Sequence, residues 1–170
     1  MDRKLEIPKV KDILTKKVIA FKEDFTVFEA IEIFNKYRIS SAPVVNEQNE
    51  VVGYLSESDC IKCMSNCLFY DERRDRSISS IMSKDVQAVS GEWDIFELES
   101  FFIDKNLKSA PVINSGKHLD GIITRRDAMT SLEKIMHSRE DYKANQKKPV
   151  ELNTQELIKV IMINYEGDYR

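Results

Sequence analysis

The residues that phosphate-binding loops and catalytic triads depend on are scarce in this sequence. Glycine occurs five times, always as an isolated residue, and histidine occurs only as His118 and His137. A Walker loop or a dinucleotide-binding fingerprint needs two or three glycines close together, and an activated nucleophile usually needs a base such as histidine beside it. Both kinds of loop are therefore excluded, and we predict that the protein is not an enzyme.

The sequence also lacks long apolar runs and an excess of positive charge. No run approaches the roughly 20 apolar residues that span a bilayer, and the charged start, residues 1–6, is not followed by the apolar core of a signal peptide. The net charge is -3 and the pI is about 5.6, whereas a nucleic-acid-binding domain usually has a dominant basic face. We therefore expect a cytoplasmic protein that binds neither membranes nor nucleic acid.

Three cysteines stand close together in the sequence. Cys60, Cys63 and Cys67 recur at a spacing that places them on one face of a helix. A zinc site or an iron–sulfur cluster usually needs a fourth ligand, and neither histidine lies nearby along the chain. We predict reduced, structural thiols that face the core or an interface, with metal binding or redox chemistry as the alternative.

The sequence repeats itself once. Residues 10–61 align with residues 78–129 at a constant offset of 68 residues, without a gap. The match includes Ser-Ala-Pro-Val-Val-Asn at 41–46 and Ser-Ala-Pro-Val-Ile-Asn at 109–114. A unit of about 50 residues is marginally stable alone, so the two copies are predicted to fold together as one pair.

Both copies have the same predicted order of elements: a short helical turn, a strand, a helix, two strands joined by a polar turn, and a second helix. In the first copy the helical turn is predicted at 11–14 and the three strands at 18–21, 43–46 and 51–56. Each element of the second copy is predicted 68 residues after its equivalent in the first. Two capping boxes, Thr26 with Glu29 and Asp94 with Glu97, mark where the first long helix of each copy begins. The order predicts an α+β unit whose three-stranded sheet needs cover on both faces.

The chain is predicted to divide into four segments. They are the first repeat at 1–68, a charged linker at 69–76, the second repeat at 77–137 and a C-terminal extension at 138–170. Within the extension, residues 157–163 are too uniformly apolar for an exposed loop. We expect them to dock on the pair or on a dimer mate as a helix or an added strand, or to bind a regulated partner.

The repeated core resembles the cystathionine-β-synthase-type (CBS) domain pair. The resemblance covers about residues 8–136 and rests on the Ser-Ala-Pro-Val strand start, the glycine of the next strand and the Ser/Thr-x-x-Asp motif that follows it. It implies two βαββα units packed through their sheets with pseudo-two-fold symmetry, two related clefts, and a homodimer. It also implies a stand-alone regulatory module that needs no cofactor. Its regulatory ligand would be AMP, ADP, ATP (with magnesium) or an adenosyl compound such as S-adenosylmethionine.

At each predicted cleft an apolar strand ends and a helix begins. Ser56 with Asp59, and Thr124 with Asp127, have the spacing of a capping box. A helix N-terminus suits phosphate, and a carboxylate beside it can accept hydrogen bonds from both ribose hydroxyls. The resemblance implies that the two aspartates bind ribose and that the hydroxyl residues lie near ribose or phosphate.

Base contacts are expected from the short strands around Ile19 and Gln87. The complete set of predicted ligand-binding residues is Ile19, Ala42, Pro43, Ser56, Asp59, Val86, Gln87, Lys108, Ala110, Pro111, Thr124, Arg125, Arg126 and Asp127. We predict that the second cleft has Arg125 and Arg126 in the first turn of its helix and Lys108 before Ser109. Cations at a helix N-terminus work against the helix dipole, and a bound anion would relieve that cost. The Asp127 cleft is therefore predicted to be the better nucleotide site.

One departure from the family favours an alternative function. Many family members have a ligand-contacting threonine where this sequence has Ala20 and Ala88. The alternative is a homodimeric scaffold for protein interaction, whose clefts bind no ligand.

Overall fold

Two similar three-stranded sheets form the centre of the protein. The computed structural model describes residues 7–70 and 76–138, and both sheets lie in the first of two compact units, 1–135 and 136–170. The elements are α1 (Val10–Ile13), β1 (Phe21–Lys22), α2 (Val27–Tyr37), β2 (Ser41–Val45), β3 (Val51–Ser56), α3 (Glu57–Tyr70), β4 (Val89–Ser90), α4 (Ile95–Asp104), β5 (Ser109–Ile113), β6 (Leu119–Thr124) and α5 (Arg125–Ser138). A 3₁₀ turn at Ile78–Ser80 replaces α1 in the second repeat. The extension predicted beyond residue 138 lies outside the described residues.

Both sheets have the same topology. The strand orders are β1-β2-β3 and β4-β5-β6, with the first pair parallel and the second antiparallel in each sheet. The registers are equivalent, because Phe21 faces Val44 as Val89 faces Val112. The predicted α+β fold of two βαββα units is confirmed.

The first strand of each repeat lies later than its apolar pattern predicted. The pattern predicts a strand at residues 18–21, yet β1 begins only at Phe21, and β4 begins only at Val89. The first strand of each sheet forms backbone pairs with the middle strand over only two residues, and the strand is limited to those residues. Helix α3 also continues to Tyr70, into the segment predicted as linker, because no proline or glycine stops it.

Both predicted capping boxes are present at the first long helix of each repeat. The Thr26 hydroxyl accepts from the Glu29 backbone N–H at 3.3 Å, and the Glu29 carboxylate accepts from the Thr26 N–H at 2.8 Å. Asp94 and Glu97 make the equivalent exchange. The predicted apolar faces of α2 and α4 are buried, each in the core of its own repeat.

The two repeats exchange their N-terminal segments. Val10 is fully buried in the core of the second repeat, whereas Ile78 and Met82 are buried in the core of the first. Paired backbone hydrogen bonds hold both crossings: Thr15 with Ile122 at 2.9 and 3.0 Å, and Ser83 with Tyr54 at 2.9 and 2.9 Å. Neither core is complete without a segment from the other repeat.

Contacts between equivalent residues mark the pseudo-two-fold axis. The hydroxyls of Ser41 and Ser109 lie 3.1 Å apart, and Glu50 pairs with His118 in an antiparallel bridge. Each pair joins a residue to its own copy 68 positions later, as happens only at a symmetry axis.

We predict that Gly121→Ala destabilises the protein more than Gly53→Ala. An added Cβ at Gly121 would lie 2.7 Å from the Thr15 carbonyl oxygen, which cannot retreat without breaking its bond to Ile122. At Gly53 the nearest atoms all belong to the flexible Met82 side chain. Urea denaturation should show a loss of about 2 kcal/mol for Gly121→Ala and about 1 kcal/mol or less for Gly53→Ala. Equal losses would contradict the backbone clash.

Candidate functional site

The Ser/Thr-x-x-Asp motifs form closed capping boxes at the N-termini of α3 and α5. The Asp59 carboxylate accepts from the Ser56 hydroxyl at 2.6 Å and from the Ser56 N–H at 3.0 Å. The Asp127 carboxylate accepts from the Thr124 hydroxyl at 2.6 Å and from the Thr124 N–H at 2.9 Å. Each motif therefore orients the carboxylate at the point where strand becomes helix.

Each carboxylate uses only one of its oxygens in the box. All four hydrogen bonds go to Oδ2, and within residues 7–70 and 76–138 the other oxygen, Oδ1, accepts none. A carboxylate can accept several hydrogen bonds. Capping and ligand binding can therefore occur together at Asp59 and Asp127.

A cleft of about 400 Å³ lies beside Asp59, within the usual range for small-molecule sites. It is lined by Ser40, Ser41, Tyr54, Ser56, Glu57, Ser58, Asp59, Ser83, Asp85, Gln87, Leu107, Lys108 and Ser109. These residues come from both repeats, because the exchanged segment brings residues 83–87 across to the Asp59 helix. The cleft is thus an inter-repeat site.

The structure brings four of the predicted ligand-binding residues into this one cleft. Ser56, Asp59, Gln87 and Lys108 all line it. Lys108, assigned from the sequence to the Asp127 cleft, thus also faces the Asp59 cleft.

Other members of the predicted set lie elsewhere. Ala42, Pro43, Ala110 and Pro111 are buried in their sheets, so their side chains are packed away from solvent. Ile19 and Val86 are half-buried and do not line the Asp59 cleft.

Arg125 and Arg126 differ in what they contact. The Arg125 guanidinium donates to the Asn106 side-chain oxygen at 3.0 Å and to the Phe102 carbonyl at 3.4 Å. It therefore reaches the C-terminal end of α4, where a cation is favoured by the helix dipole. The Arg126 side chain is exposed and makes no hydrogen bond or ion pair with any residue that the structure describes.

Three hydroxyls form a cluster that sequence reasoning missed. The Tyr54 hydroxyl lies 2.9 Å from the Ser109 hydroxyl and 3.2 Å from the Ser41 hydroxyl, and all three line the cleft. The offset of 68 gives Ile122 at the position equivalent to Tyr54, so the cluster is not repeated. Asp85 was also missed, although its place two residues before Gln87 could have indicated it.

The three cysteines are part of the first core. Cys60 and Cys63 are buried, and Cys67 packs against the same cluster. Burial, helped by the nearby Asp59, raises the pKa of Cys60 to about 11, so this thiol stays protonated at neutral pH. No group of three His, Cys, Asp or Glu side chains within residues 7–70 and 76–138 is arranged to hold a metal ion.

Comparison with known proteins matches the two repeats separately. Residues 10–66 and residues 78–134 each match the model of the CBS domain. The chain belongs to the CBS domain family. The motifs that end in Asp59 and Asp127 therefore occupy equivalent places in two CBS domains.

This CBS domain pair is similar to a protein known from its sequence and to two proteins of known structure. It is 30% identical over 124 residues to a 17.7 kDa protein in the bps2 3′ region of Acidianus ambivalens. The aligned residues cover 73% of this chain and 73% of that protein. The structure of CBSX2 in complex with AMP superposes on this chain with a TM-score of 0.67 and has 19% sequence identity to it. The superposition covers 75% of this chain and 98% of CBSX2. The CBS domain pair of protein MJ0100, in complex with 5′-methylthioadenosine and S-adenosyl-L-methionine, is 24% identical, with a TM-score of 0.65 and coverage of 76% and 98%. These likenesses show a shared fold.

Among the helices of the described residues, none combines the length and the apolar character that crossing a membrane requires.

We predict that Ser56→Ala and Thr124→Ala each lower the free energy of unfolding by about 1 kcal/mol, because each removes the hydroxyl that caps a helix. Ser58→Ala is the matched control, since Ser58 lies in the first turn of α3 and is exposed. Its effect should stay within about 0.5 kcal/mol. Urea denaturation without ligand measures all three, and a loss for Ser58→Ala as large as for Ser56→Ala would contradict the capping role.

Proposed function

We propose that this CBS domain pair is a regulatory module that binds an adenine nucleotide or an adenosyl compound in its inter-repeat clefts. The observation that carries the proposal is the free Oδ1 of a fixed carboxylate beside a cleft of about 400 Å³. This oxygen can accept hydrogen bonds from ribose hydroxyls without loss of the capping box. Complexes of CBSX2 with AMP and of MJ0100 with adenosyl compounds support the same class of ligand.

The Asp127 cleft is the proposed site for a nucleotide with a phosphate. The N-terminus of α5 presents the positive end of the helix dipole, which favours an anion. Arg126 stands in its first turn without an ion-pair partner among the described residues. A phosphate near Arg126 would offset the unfavourable placement of a cation at this helix end.

Regulation would follow from the position of the clefts between the repeats. A ligand in the Asp59 cleft would contact α3 of the first repeat together with Gln87 and Lys108 of the second. A ligand that binds one arrangement of the repeats more tightly shifts the equilibrium toward it. A partner protein that reads this arrangement would then respond to the ligand.

We predict that AMP, ADP, ATP or S-adenosylmethionine raises the melting temperature of the purified protein. A ligand that binds only the folded state, at about 100 times its Kd, stabilises it by roughly 2.7 kcal/mol. For the phosphate-bearing ligands the shift should disappear in Asp127→Ala and persist in Asp59→Ala. The two variants are matched, because each loses one equivalent capping box. A thermal-shift screen with and without magnesium provides the measurement.

Two outcomes would count against the proposal. A nucleotide shift that survives in the double variant Arg126→Ala/Asp127→Ala would contradict the assignment of the site. The absence of a shift with every adenosine compound would favour the second candidate, a scaffold.

A homodimer is part of the proposal and is also the basis of the scaffold alternative. Ile61, Met64 and Leu68 lie along one face of α3 and are 62%, 37% and 78% exposed. Met129, the equivalent of Ile61 in α5, is 63% exposed. Large apolar side chains repeated on equivalent helices favour contact with a second copy of the chain.

We predict that the wild-type protein is a dimer and that Leu68→Glu makes it monomeric, because a carboxylate would be placed in an apolar contact. Sedimentation equilibrium measures the mass of both proteins. Lys62→Glu, at an exposed neighbouring position of α3, is the charge-changing control and should remain dimeric. A monomeric wild-type protein would contradict this part of the proposal.

A further inference from the structure

The Asp59 cleft is acidic. Three of its lining side chains, those of Glu57, Asp59 and Asp85, carry carboxylates, and one, that of Lys108, carries a positive charge. None of the three carboxylates takes part in a salt bridge within the described parts of the chain. The remaining polar lining consists mainly of serine hydroxyls, which carry no charge. The cleft therefore has an excess of negative charge that its own side chains leave uncompensated.

The helix end at this cleft is poorly suited to phosphate. A helix N-terminus attracts anions through its dipole and its free N–H groups. The first turn of α3 holds Glu57 and Asp59, whereas the first turn of α5 has Arg125 at the position of Glu57. The two acidic side chains would repel a phosphate placed there.

The positions that the pseudo-two-fold relation makes equivalent to this lining carry the opposite charge. The offset of 68 places Arg125 at the position of Glu57, Arg126 at that of Ser58 and Lys17 at that of Asp85. The backbone equivalence is direct, since the Thr15–Ile122 pair repeats the Ser83–Tyr54 pair. The positions equivalent to the acidic lining thus carry charge of the opposite sign, with the Arg125 guanidinium held by Asn106 after the end of α4.

We propose that the Asp59 cleft selects an adenosine derivative with a positive charge on its 5′ substituent, such as an ammonium or a sulfonium, and rejects 5′ phosphates. The inference rests on the proposed function, in which each aspartate binds a ribose. The cleft and the free Oδ1 of Asp59 define the site, and Glu57 and Asp85 set the charge that it accepts. The protein would then read two ligands of opposite charge, one in each cleft.

The test uses calorimetric titration of the Asp127→Ala variant, in which the second cleft is disabled. Three probes share the adenosine group: 5′-amino-5′-deoxyadenosine is cationic at pH 7, 5′-methylthioadenosine is neutral, and AMP is anionic. The cationic probe should bind about tenfold more tightly than the neutral one, as expected for opposite charges in a partly exposed site. AMP should bind most weakly, and added salt should reduce the preference for the cation.

The double variant Glu57→Gln/Asp85→Asn in the same background removes both charges with little change in shape. Its affinity for the cationic probe should fall about tenfold, while its affinity for the neutral probe stays the same. Glu32→Gln/Asp104→Asn is the matched control, since it removes two exposed carboxylates that do not line the cleft. It should leave the affinity for all three probes unchanged.

The outcomes separate this inference from the proposed function. Equal binding of the cationic and neutral probes, or tightest binding of AMP, would overturn the charge selection and leave adenosine binding intact. An equal loss in the control variant would also overturn it, because the effect would then come from the total charge of the protein. If none of the probes binds to either the wild-type protein or the variants, both the inference and the proposed function are wrong.

Discussion

The exchange of N-terminal segments between the repeats is the constraint on which the other features depend. Val10 fills the core of the second repeat, and Ile78 and Met82 fill the core of the first. The crossing segments run beside Gly53 and Gly121, the two positions where a larger residue would collide with them. The same crossing carries residues 83–87 to the Asp59 helix and so completes the cleft.

The parts of the fold that could be predicted from the sequence are the local ones. A capping box such as that of Thr26 and Glu29 lies within four residues, and the apolar face of α2 follows from helical spacing alone. The exchange could not be predicted in this way, because nothing in the sequence around Val10 indicates which core receives it. The strand at 18–21 was misplaced for a related reason, since pairing with β2 limits it to two residues.

The candidate site shows the same division. The position of Asp59 and Asp127 at two helix N-termini followed from their motifs, and their capping bonds are present. Asp85 reaches the Asp59 cleft through the exchange, and the contact of the Tyr54 hydroxyl with Ser109 joins the two repeats, so both depend on how the repeats pack together. The direction of the Arg125 side chain could not be predicted from the sequence either, because it depends on a contact with Asn106 after the end of α4.

The mixed lining of the Asp59 cleft has a consequence for how the protein can evolve. Ser40 and Lys108 occupy equivalent positions in the two repeats, and both line this cleft. By the pseudo-two-fold relation, the same two positions are expected to border a second cleft at Asp127. With ligands in both clefts as proposed, a substitution at either position would alter both sites at once, and the ligand preferences of the two clefts could not change independently there. Glu57 and Arg125 lie at the N-termini of different helices, so a substitution at one of them can change the ligand preference of one cleft without changing that of the other.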